Sequence, residues 1–121
     1  MKNLDDSKLF TPYQMGPVTL RNRVIRSAAF ESMGKDFGPS QDLKDYHVSV
    51  ARGGVGMTTL AYASINRSGV SFNSQLWLRD EIVPQLRDIT EAVHNEGAAV
   101  GIQIGHCGNM THWETAGCFP V

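Results

Sequence analysis

The sequence predicts an α/β fold built on a parallel sheet. Three observations predict it. Apolar strand-like cores recur at Leu20–Phe30, Met57–Ser64 and Ala98–Gly105. Segments with helical apolar spacing separate them, and alternating strands and helices imply parallel pairing through right-handed crossovers. Each core also ends in small residues, such as Ser27-Ala28-Ala29. A strand that finishes this way lets a flat group approach its backbone. Small residues also let helices pack tightly, so one such strand leaves both readings open. Three in succession favour a site at the carboxyl ends.

The elements follow in order. Tyr13-Gln14-Met15 and Val18-Thr19-Leu20 flank Gly16-Pro17, a turn signal. A small hairpin is expected, either plugging one end of a barrel or forming a surface turn. The first core strand is expected over Val24–Ala28, because Val24-Ile25 is β-branched. A loop with Gly34 and Gly38 leads to Ser40, a helix N-cap. Leu43, Tyr46 or His47, and Val50 follow at helical spacing, and Gly53-Gly54 stops the helix. The second strand runs from about Val55 to Ser64. Asn66 to Gln75 reads as a polar loop. Asp80-Glu81 places negative charge where a second helix begins, and Pro84 is tolerated only near that start. Ile82, Leu86, Ile89 and Val93 form its apolar stripe, and Gly97 ends it. The third strand starts at once, over Ala98–Gln103. His106 to Val121 has no period and reads as a loop. One domain is expected, with both helices on one side of the sheet.

Composition excludes several classes. The 121 residues carry 11 basic and 12 acidic side chains with no basic stripe, so nucleic acid is not an expected partner. No apolar run approaches the roughly 20 residues of a membrane span. Met1–Asp6 is charged where a signal peptide needs an apolar core. Cys107 and Cys118 make no disulfide framework, and a cytoplasmic location with both thiols reduced is expected.

Leu9-Phe10-x-Pro12 followed by Leu20-x-Asn22-Arg23-Val24-Ile25 resembles the start of the Old Yellow Enzyme family of NAD(P)H:flavin oxidoreductases. Gly53-Gly54-Val55-Gly56-Met57, Ala92-Val93-His94-x-x-Gly97 and Ile102-Gln103-x-x-His106-x-Gly108 continue the resemblance in order. It implies the N-terminal portion of a (β/α)8 TIM barrel holding FMN at its strand ends. It further implies that Ser27, Ala28, Ala29 and Phe30 lie along the flavin, and that Tyr62 contacts the ring through its backbone. Gln103 would read the pyrimidine edge, since an amide offers a donor and an acceptor. Independently of the family, Gln103 reads as a strand-end amide tying down a loop. The implied reaction passes hydride from NAD(P)H to flavin N5 and on to an electron-poor alkene. The sequence departs from many members at Ala28-Ala29, where Pro-Met is common, and at Asn109, where arginine is common.

A complete barrel needs about 250 residues. The family's active-site His pair and proton-donating tyrosine come later than residue 121, so no catalytic residue is assigned. The chain is expected to be part of a longer enzyme or a short product inactive alone. The alternative is an inactive half-barrel that persists by self-association or by pairing with a complementary chain. Val24, Leu60 and Val100, or their neighbours, would then line an uncovered inner face. His106, Cys107, His112 and Cys118 fit no common metal spacing, so no metal is expected. Glu31 could either face the site or form a loop salt bridge. His47 and His94 read as surface or packing residues. Phe72, Trp77 and Trp113 read as loop aromatics that line a pocket or anchor loops.

Overall fold

A computed structural model describes residues 7–120; Met1–Asp6, read above for its charge, lies outside them. Strands β1 (Tyr13–Met15) and β2 (Val18–Leu20) form the expected hairpin, with Met15 opposite Val18 and Gly16 at φ 57° in the turn. Arg23 stacks its guanidinium 4.8 Å from the Tyr13 ring centroid, and its backbone N–H bonds to the Leu9 carbonyl. The hairpin thereby lies against the entry to the sheet.

The main sheet comprises β3 (Ile25–Arg26), β4 (Met57–Ser64), β5 (Leu76–Trp77) and β6 (Ala99–Gly105), all parallel. Strand β4 is central. Strand β6 follows one of its edges from Met57 to Ser64. A strand has only two edges, so β3 and β5 share the other, β3 beside Met57-Thr58 and β5 beside Ala63-Ser64.

The first strand is shorter than Val24–Ala28, because Arg26 sends its guanidinium to the Thr59 and Ala29 carbonyls and the chain leaves the ladder at Ser27. The segment before α2 is not all loop. It contains a 3-10 turn at Arg67–Gly69, and then Leu76–Trp77 takes the edge that β3 has vacated. Trp77 is therefore a strand residue.

Helix α1 (Gln41–Arg52) starts where Ser40 Oγ accepts the Leu43 N–H, and it buries Leu43, His47 and Ala51. The buried face thus runs through His47 and Ala51, with Val50 half-buried beside it. Asp80–Ile82 forms a 3-10 turn, after which α2 (Val83–Asn95) carries Pro84 in its first turn and buries Ile89 and Val93. Both helices share one core with the sheet: Leu43, Ala51, Leu60, Ala63, Leu76, Ile89, Val93 and Ala98. They therefore cover the same face. Leu60 is buried in this core and Val100 packs against it, so of the residues expected on the opposite face it is the neighbours, not these two, that take it. Alternation instead turns Ile25, 45% exposed, to that open face.

Arg21 ties the two helix ends together. Its guanidinium donates to Ala51 O at the end of α1, to Glu96 O after α2 at 2.8 Å, and to Val55 O at 3.0 Å. The Ala51 and Glu96 carbonyls carry the negative ends of the two helix dipoles. Asn22 completes the junction, donating to Gly54 O at 2.7 Å while its own carbonyl oxygen accepts the Val24 N–H. A Cβ at Gly56 would collide with the Asn22 backbone carbonyl, so this close approach requires glycine. After Gly105 the chain is not plain loop: it forms a 3-10 turn at Gly108–Met110 and a short helix α3 (Trp113–Ala116), closed by Gly117 at φ 76°. No described helix is long and apolar enough to cross a membrane.

Candidate functional site

The carboxyl ends of β3, β4 and β6 lie side by side, and the register there is irregular. Leu60 pairs with Ile102 and Ala63 with Ile104. Ala61 and Tyr62 therefore stand opposite the single residue Gln103. A bulge of this kind re-aims side chains and is common beside active sites. Here it brings Tyr62 and Gln103 together, two of the expected site residues.

Gln103 is exposed, and its side-chain amide makes no hydrogen bond among the described residues. Beyond it, Gly105 has no atom within 4 Å of where a Cβ would project, leaving open space next to the amide. Ser27 and Ala29 are exposed and Ala28 is half-buried at the end of β3. Phe30 turns inward, with its ring centroid 5.2 Å from Tyr62 edge-on and 5.3 Å from Phe72 in a stacked pair. Such aromatic contacts add stability beyond the area they bury. Phe72 thus joins the site through a loop contact that sequence spacing does not reveal.

Tyr62 also touches the loop after β6. The Cys107 thiol lies 3.8 Å from the Tyr62 hydroxyl and within 4.0 Å of the Gln75 amide. Burial pushes the Tyr62 phenol up to about 12, and the neighbouring Cys107 adds to the shift. The phenol is therefore neutral at physiological pH. His106 serves the loop: its Nε2 is 3.0 Å from Ser68 Oγ, and its Nδ1 accepts the Gly108 N–H at 2.9 Å. Among the described residues, no three His, Cys, Asp or Glu side chains gather to hold a metal ion.

Behind this surface lies a buried charged cluster. Glu31 Oε1 is 2.6 Å from Arg26 Nη1 and 3.1 Å from His47 Nε2. The His47 approach is close but poorly aligned, so that nitrogen makes no good hydrogen bond. Its other ring nitrogen lies 2.8 Å from Thr58 Oγ1. Glu31 Oε2 accepts the backbone N–H of Ala61 at 3.2 Å. Burial alone would raise the Glu31 pKa; His47, the residue's own backbone N–H and Arg26 outweigh it and hold the carboxyl below its usual range. Glu31 is thus a salt-bridged residue beneath the strand ends, and His47 takes the packing one of its two readings, fully buried on α1 with Thr58 and Glu31 as polar neighbours. His94 is exposed on α2.

A parallel β/α sheet presenting small residues, aromatics and a free amide at its strand ends is the kind of surface that receives a flat cofactor in barrel enzymes. The chain belongs to the NADH:flavin oxidoreductase / NADH oxidase family, whose profile matches residues 8–117. It is 43% identical over 100 residues to a 4,4'-dithiodibutanoate disulfide reductase of Rhodococcus erythropolis, covering 83% of this chain and 25% of that protein. It is 42% identical over 120 residues to a probable N-methylproline demethylase of Rhizobium meliloti, covering 98% of this chain and 18% of that protein. An NADPH dehydrogenase of Listeria welshimeri is 37% identical over 107 residues, with 84% and 31% covered. The chain therefore spans only 18% to 31% of the length of these relatives.

Among solved structures, the old yellow enzyme homologue of Zymomonas mobilis superposes with a TM-score of 0.85 at 24% identity, over 94% of this chain and 32% of that one. Morphinone reductase in complex with tetrahydroNAD gives 0.78 at 26% identity, over 88% and 29%. The hairpin and β/α units described above are accordingly the N-terminal portion of a (β/α)8 TIM barrel.

Proposed function

We propose that this chain supplies one face and the pyrimidine-edge contact of an FMN site in an NAD(P)H-dependent oxidoreductase acting on a small molecule, an electron-poor alkene in the first instance. The observation that carries this reading is the bulge in β4, which sets Tyr62 opposite the free amide of Gln103 beside Ser27-Ala28-Ala29. The residues fit the group: an unpartnered amide next to open space suits an edge of alternating donors and acceptors. When bound, FMN supplies hydride chemistry between reduced nicotinamide and substrate.

The chain's own residues do the positioning. Gln103 donates to and accepts from the ring edge. Ser27, Ala28 and Ala29 lie flat against the ring without bulk, and Tyr62 meets it through its backbone. Phe30, edge-on to Tyr62 and stacked on Phe72, keeps water from the β3 side of the site. No catalytic residue is assigned within the chain.

The test uses a complete barrel in which residues 8–117 replace the matching segment of the Listeria welshimeri relative. It should bind FMN and oxidise NAD(P)H with an enone; 4,4'-dithiodibutanoate serves as a competing electron acceptor, and N-methylproline as an alternative electron donor in place of NAD(P)H, both chosen from the relatives' names. Gln103→Leu should weaken FMN by about 1–3 kcal/mol, read by fluorescence titration. An unchanged Kd removes Gln103 from the flavin site.

A further inference from the structure

We propose that Glu31 is a positioning residue for this site: its carboxylate anchors the β4 bulge by accepting the Ala61 N–H, and so fixes Tyr62 opposite Gln103. The inference rests on the reading of these strand ends as a flavin surface. A bulge takes a residue out of the ladder, and its freed backbone groups need other partners. Ala61 is one of the two bulged residues, and its N–H finds Glu31 Oε2 at 3.2 Å.

The carboxylate is itself held from two directions. Arg26 pairs with Oε1 at 2.6 Å, and His47 approaches the same oxygen from α1. The pairing with Arg26 does more than neutralise charge. The same guanidinium donates to Thr59 O at 2.6 Å and to Ala29 O at 3.0 Å. One buried ion pair therefore grips the backbone of both neighbouring strand ends, Ala29 on the β3 side and Thr59 with Ala61 on the β4 side. A salt bridge serving stability alone has no need to bond to these backbone groups. Thr58, on the strand itself, closes the cluster by meeting His47 at 2.8 Å. The candidate surface is thus set from behind by residues that never reach it.

The test is peptide-resolved hydrogen exchange on the 121-residue chain, with and without millimolar FMN, a readout that tolerates weak binding and self-association. In Glu31→Ala, exchange across Ala61–Tyr62 should rise about tenfold or more. Peptides from the cores of α1 and α2 should stay within about twofold of the unsubstituted chain, as expected for local opening. FMN-dependent protection at Tyr62 and Gln103 should be lost together with the bulge. A general stabiliser would instead raise exchange evenly and leave the FMN footprint in the folded fraction. If Glu31→Ala unfolds throughout, Glu31→Gln decides. It keeps the size and one acceptor, so exchange should rise at Ala61–Tyr62 ahead of the helices. Unchanged exchange there in a folded variant, or an even rise in both variants, overturns the proposal. FMN protection absent from the unsubstituted chain counts against the flavin reading alone, because the dependence of Ala61 exchange on Glu31 is measured without FMN.

Discussion

Glu31 shows how one side chain carries consequences for stability, pH response and site geometry together. Its carboxyl is buried against Arg26 and held below the usual 4.5. The unfolded chain therefore binds the proton more readily than the folded one. The resulting stability is present above about pH 4.5 and is lost as pH falls through the folded value. Glu31→Gln should destabilise most near neutrality, on the order of 3 kcal/mol if breaking the buried pair dominates. The difference should shrink in acid, where the unsubstituted residue is protonated too. Urea unfolding at a series of pH values checks this, and an equal difference at all of them would contradict it. The small residues Ser27-Ala28-Ala29 at the first strand end were legible at this scale from residue type, whereas Tyr62 and Gln103 came forward as site candidates only through the family resemblance. The role of Glu31 was half legible: a loop salt bridge was one of its two readings, but its backbone partner depends on a bulge that no residue type announces.

At the scale of elements, local signals and tertiary rules divide the outcome. Ser40, Pro84 and Gly97 marked their helix ends because capping and backbone conformation are local. Strand β5 escaped because two residues carry no measurable alternation. It exists because β3 ends early and leaves β4 an unpaired edge, a fact of the assembled sheet. Helical spacing left the inward position of α1 open between Tyr46 and His47; His47 takes it, with Glu31 and Thr58 as polar neighbours that apolar spacing cannot show. Arg21 was hidden inside the resemblance as an unspecified position, yet it bonds to carbonyls at both helix ends. Arg21→Ala should lower stability by about 2 kcal/mol, the range for charged hydrogen bonds to half-buried acceptors. Arg21→Lys should recover little, since one ammonium cannot reproduce the fork. Urea midpoints of the two variants test this; a lysine variant matching the unsubstituted chain would show that charge alone suffices.

At the scale of the whole molecule, one face of the sheet is covered by helices and the other is open. Ile25 on the open face is 45% exposed, and Ile104, which alternation puts on the helix-bearing face with Val100 and Ile102, is 59% exposed at the end of β6. Each large apolar side chain left in water forgoes roughly 1.5–3 kcal/mol. The 121-residue chain by itself should therefore associate or unfold partly, and should neither retain FMN on purification nor reduce alkenes. Sedimentation and flavin absorbance report on this, and a stable yellow monomer with stoichiometric FMN would contradict it. The parallel order of the strands and the single helical layer were readable from the alternation of periods; which apolar residues face which layer was not, as Leu60 and Val100 show. The most direct test of the flavin surface is a crystal structure of the complete barrel carrying residues 8–117 with FMN bound. The predicted result is the Gln103 amide within about 3.2 Å of the ring's pyrimidine edge, with Ser27-Ala28-Ala29 along the ring and Ala61 still bonded to Glu31. A ring seated on other strand ends, with Gln103 turned to solvent, would contradict the account.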